Sequence, residues 1–74
     1  MPALPVLTWE EVCRALERAG FARKSQRGSH LKLRHADGRT VIVPVHYRDL
    51  PTGTLRSILK QARMTAEELS ARLT

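Results

Sequence analysis

The chain holds one cysteine, three aromatic residues and no apolar run near the roughly 20 residues that a membrane-crossing helix needs. A lone Cys13 cannot close an internal disulfide, and no signal-peptide pattern opens the chain, so the expected compartment is the reducing cytoplasm, with no membrane attachment. Cys13 falls on an apolar helical stripe and reads as core. No Gly-x-Ser-x-Gly elbow is present, which excludes that serine-hydrolase arrangement. The three histidines lack companion cysteines or carboxylates at ligand spacing, and His30 and His35, five apart in a strand, should point to opposite faces. No metal and no small-molecule cofactor is expected. Trp9 and Phe21 look like core, which leaves Tyr47 alone for stacking. Recognition of a nucleic acid by backbone and shape is therefore favoured over stacking of single-stranded bases.

Acids are missing from two stretches. Arg18 to Ala36 contains six basic residues and no acid, and Leu50 to Ala66 carries Arg56, Lys60 and Arg63, again with no acid. The acids gather instead at Glu10, Glu11, Glu17, Glu67 and Glu68. With a net charge of +6 and ten Arg to three Lys, this segregation suits a phosphate-binding face rich in bidentate donors. An ordinary solvated face is the alternative.

At 74 residues the chain is expected to be one domain, with a core thin enough for a bound partner to add noticeably to its stability. Pro2 and Pro5 make an extended lead-in. Thr8-Trp9-Glu10-Glu11 is a capping box with Leu7 and Val12 as staple, opening a helix over Trp9 to Ala19 that Gly20 stops. Phe21 to Gln26 and Ser29 to His35 read as strands separated by Arg27-Gly28. Asp37-Gly38 reads as a two-residue turn into a third strand, Arg39 to Val43, ended by Pro44. That register sets Leu33 opposite Ile42 and Leu31 opposite Pro44, with His30, Lys32 and Arg34 on the other face. A second amphipathic helix spans about Pro51 to Ala62, and Thr65 to Glu68 is another capping box opening a short peripheral helix. The expected fold is α+β: a three-stranded antiparallel sheet with two helices on one face, in the order α-β-β-β-α, plus the short C-terminal helix. The other sheet face stays open.

His30 stands in Arg27-Gly28-Ser29-His30, where glycine permits close backbone approach and the imidazole emerges among Arg27, Lys32 and Arg34. A neutral imidazole there suits removal of a proton from a ribose 2′-hydroxyl, with neighbouring cations stabilising the transition state; an exposed histidine that only binds phosphate is the competing reading. His46, in the loop after Pro44, is a secondary candidate for a proton-transfer group. His35 reads as structural.

Three segments resemble the HicA toxins: Gly28-Ser29-His30, Val43-Pro44-Val45-His46, and the run from Leu50-Pro51-Thr52-Gly53-Thr54-Leu55 through Ala62. The similarity covers about Thr8 to Met64, giving a HicA-like core over 7–64 and an additional short helix over 65–74. The resemblance implies a compact fold like double-stranded-RNA-binding domains, and a toxin that cleaves mRNA until a HicB-type antitoxin covers its active face. It places the catalytic histidine at His30, with Gly28 and Ser29 positioning it. Lys24, Arg27, Lys32 and Arg34 are the expected phosphate ligands, with Arg56 and Lys60 as secondary candidates. Where the family usually has glycine this chain has Arg63, so the second helix would stop on a left-handed non-glycine residue. A binding module that holds structured RNA without cutting it, and an interaction protein for an acidic partner, are the alternatives.

Overall fold

A computed structural model describes residues 6–45 and 48–73. The order is α1 (Trp9–Arg18), β1 (Phe21–Arg27), β2 (His30–His35), β3 (Thr40–Pro44), α2 (Thr52–Ala62) and α3 (Ala66–Ser70). The strands form one antiparallel sheet in the order β1-β2-β3. This is the expected α+β architecture of the double-stranded-RNA-binding type.

Local chemistry sets the helix ends. Both capping boxes form: the Thr8 hydroxyl accepts from the Glu11 amide while Glu11 accepts from the Thr8 amide, and Thr65 and Glu68 repeat the exchange. The residue ending α2 is Arg63, left-handed at φ 54° and ψ 44°, and the Met64 amide donates back to Leu59 O at 3.0 Å. Pro51 is the N-cap of α2 rather than its first helical residue.

One face of the sheet is apolar. Leu31, Leu33, Val41 and Val43 meet Val12, Cys13 and Leu16 of α1 and Leu55, Ile58 and Leu59 of α2 in one contiguous core. Burial pushes the Cys13 thiol up to about 11, so it stays protonated and packs as a small hydrophobe. Trp9, expected in the core, is only partly buried against it. On the edge of the helix layer Leu69 anchors α3, and Arg18 Nη1 donates to Arg72 O at 2.7 Å.

The register of the second hairpin differs from expectation by one residue. Leu33 pairs with Val41 and Leu31 with Val43, while Ile42 faces Lys32 and Pro44 faces His30. The reason is the turn. The Gly38 amide donates to His35 O and the His35 amide to Arg39 O, enclosing three residues with Gly38 at φ 99°, so Asp37-Gly38 is not a two-residue loop. One extra residue moves every β3 side chain to the other face. Val41 and Val43 go into the core and Ile42 comes out. The first hairpin also differs at its tip: Arg27 belongs to β1 and pairs with His30, so the two-residue turn is Gly28-Ser29.

Candidate nucleic-acid interface

Strand parity builds the open face. In β2 the pattern of exposure leaves His30, Lys32 and Arg34 outward, and their partners in β3 are Pro44, Ile42 and Thr40. Cross-strand partners share a face, so these six side chains form one continuous surface opposite the helices.

β1 joins that surface by means of a β-bulge. Phe21 must point into the core, yet Arg27, as partner of His30, must point out. Six residues of regular alternation would place both on the same side. The ladder resolves the conflict by slipping between Arg23, opposite Leu33, and Ser25, opposite Lys32. Lys24 then lines a depression of about 300 Å³ with Ala22 and Arg34. Ser25 and Arg27 line a neighbouring one of about 370 Å³ with His30, Lys32 and Ile42.

The Gly28-Ser29 turn is tied at both carbonyls. Gln26 Nε2 donates to Gly28 O at 3.0 Å, and the Val45 amide donates to Ser29 O at 2.7 Å. Gly28 sits at φ 54° with open space around the position of a Cβ, so glycine is there for backbone conformation. His30 is thereby held at the root of a two-residue turn, exposed, paired across the ladder with Arg27 and lining one depression with it.

The acid-free run from Arg18 to Ala36 is sorted by the fold. Arg23 turns to the helix side and bridges Glu17 at 3.2 Å, and Arg18 is engaged with the chain end. Lys24, Arg27, Lys32 and Arg34 remain on the open face, in none of the ion pairs among the described residues, and no acid shares that face. Arg56 and Lys60 are not brought to it. Gln61 ties α2 to the free edge of β3 by its side chain, accepting from the Ile42 amide at 2.9 Å and donating to Ser57 one turn back. Arg56 and Lys60 are exposed on other sides of the helix, within the helix layer. His46 lies outside the described residues. His35 is half-buried, its ring edge-on to Phe21 with centroids 5.2 Å apart, and is not outward like His30.

Ser25 and Ile42 are members of the His30 depression that sequence reading missed. No local signal marked Ser25, because its place follows from the pairing of Arg27 with His30, which only a bulge reconciles with a buried Phe21. Among the described residues no three of His, Cys, Asp or Glu gather as a metal-binding group, and no helix is long and apolar enough to cross a membrane.

The family described as HicA toxin of bacterial toxin-antitoxin matches residues 9–64. This chain belongs to the HicA toxin family. No curated protein matches the chain. The family match ends at Met64, and α3 lies beyond it, packed on α1 away from the open face. A HicA toxin is one half of a toxin–antitoxin system, and an antitoxin partner follows from that membership.

Proposed function

We propose that this HicA toxin is a cytoplasmic endoribonuclease that binds mRNA on the open sheet face and cleaves it with His30 as general acid/base. The observation that carries the reading is His30 standing on a face that, among the described residues, holds four cations outside any ion pair and no acid. A strand of RNA laid there meets Lys24, Arg27, Lys32 and Arg34 as phosphate ligands, with Gly28 and Ser29 fixing the approach to His30.

Neutral imidazole accepts the proton of a ribose 2′-hydroxyl, O2′ attacks the adjacent phosphorus, and the bond from phosphorus to O5′ breaks. The imidazolium returns its proton to the leaving O5′, so a 2′,3′-cyclic phosphate and a free 5′-hydroxyl result and His30 is regenerated. Charge accumulates on the non-bridging oxygens in the transition state, and the Arg27 and Lys32 cations stabilise it. No step needs a metal or other cofactor. The antitoxin, of HicB type, inhibits by covering the same face.

The deciding experiment incubates the protein with RNA, with and without chelator, beside His30→Ala. Cleavage that persists in chelator and is lost in the variant supports the proposal. Undiminished cleavage by His30→Ala removes the catalytic role of His30, and RNA binding without any cleavage leaves a non-catalytic RNA-binding module.

A further inference from the structure

The open face is divided. Its cations all come from β1 and β2, whereas β3 contributes Thr40, Ile42 and Pro44 and no charge. Ile42 is one of two large apolar side chains exposed among the described residues, at 37%. Single exposed apolar residues are ordinary on protein surfaces. Ile42 differs in three respects: it lines the same depression as His30, it faces Lys32 directly across the ladder, and its backbone amide is fixed by Gln61 at 2.9 Å. Pro44 continues the apolar strip to a position opposite His30. Both side chains are stiff, so a ligand settling on them orders little that is mobile.

We infer that Ile42 and Pro44 form a seat for the base and ribose of the nucleotide next to His30, while the phosphates of the same strand run over β1 and β2. This rests on the RNA-binding reading above for its class of ligand. Nucleic-acid strands have one charged and one largely apolar side, and the division of the sheet face matches it: the β2 cations stand one strand spacing, about 4.8 Å, from an apolar rail on β3, and the β1 cations stand two spacings away. Contact with aliphatic carbon accepts the flat face of any base, so the seat orients the strand without reading its sequence. It also requires an unpaired nucleotide, because in a duplex the base faces are covered by their neighbours. Among the described residues no phenylalanine, tyrosine or tryptophan stands on this face, and Ile42 is its exposed large apolar side chain.

The test uses the intact protein and a fluorescein-labelled RNA that is 2′-O-methylated throughout, so that O2′ cannot attack. A second oligonucleotide of the same length carries abasic residues at its centre. The wild type is expected to bind the base-containing strand about fivefold more tightly than the abasic one, the factor expected from apolar contact over a few tens of Å². Ile42→Ala should bring the two affinities together by weakening only the first. Ile42→Thr keeps β-branching, and so the strand, and should give the same result. If both variants discriminate between the strands as the wild type does, the seat is overturned while RNA binding stands. If the wild type binds neither strand, both the seat and the RNA-binding reading fall.

Discussion

Arg27 and His30 are cross-strand partners on either side of the Gly28-Ser29 turn, and β1 reaches that pairing because its ladder slips at Lys24. The bulge thus gives the open face two cations from β1, Lys24 at the slip and Arg27 after it. A bulge is a local departure from regular pairing. Here it lies between the buried start of β1 and the exposed turn that carries the candidate catalytic group.

Phosphate binding should be confined to that face. Lys32→Ala and Arg34→Ala are each expected to weaken RNA binding uniformly across sequences and to reduce the slope of log affinity against log salt by roughly 1. Arg56→Ala and Lys60→Ala should leave the slope unchanged. Titrations at several salt concentrations check this, and an equal loss of slope from the α2 variants would extend the interface to the helix layer.

Gly28→Ala tests the turn. No atom lies within 4 Å of the added Cβ, so only backbone conformation opposes it, and a loss of about 1 kcal/mol in urea denaturation is expected. Cleavage should fall by more than the change in folded population explains, because the turn sets the position of His30.

Gly20→Ala should be worse. Its φ is +102°, and a Cβ would come within 2.8 Å of His35 Nε2. Strain and displacement of the ring from Phe21 together predict a loss of about 2 kcal/mol or more. Removing the ring should restore part of it, so Gly20→Ala is expected to cost less in a His35→Ala background. Equal losses in the two backgrounds would rule out the steric component.

Arg63→Gly should stabilise. A left-handed non-glycine residue carries a penalty of roughly 1 kcal/mol, and glycine at this helix end removes it. Urea denaturation of the variant should show a midpoint above that of the parent.

Acid stability should depend on Asp37. Hydrogen bonds from the Arg39 side chain, then its backbone amide, hold the Asp37 carboxyl at about 2, below its ordinary 3.8. A carboxylate depressed in the folded state contributes stability above the unfolded value, and that contribution is lost as pH falls through the folded one. Asp37→Asn should therefore be less stable than the parent at pH 7. The gap should narrow below about pH 4 and close near pH 2. Glu11 and Glu68, lowered by hydrogen bonds from Thr8 and Thr65, act in the same direction and remain in both proteins. A gap constant with pH would remove Asp37 from the acid response.

Signals confined to a few neighbouring residues were legible in the sequence. The two capping boxes and the stop at Gly20 depend on hydrogen bonds and backbone angles within one turn, so the residues there carry the answer, whereas the left-handed Arg63 was legible only through the family resemblance. The outward set His30, Lys32 and Arg34 was legible as well, because alternation within one uninterrupted strand needs only one buried neighbour to set its phase.

What the sequence by itself determined was therefore the elements, the α+β order and the side of β2 that carries His30. The tertiary structure decided how strands and helices meet. A three-residue turn in place of a two-residue one exchanged Ile42 for Val41 and Val43, since a one-residue slip inverts a face. The bulge at Lys24 arises because Phe21 must be buried while Arg27 must follow His30, a conflict between positions that only pairing brings together. Arg23 and Lys24, adjacent in one basic run, part company on the same ground: Glu17 lies across from one of them, and the open face from the other. Charge in a sequence has a position along the chain, and only packing gives it a side.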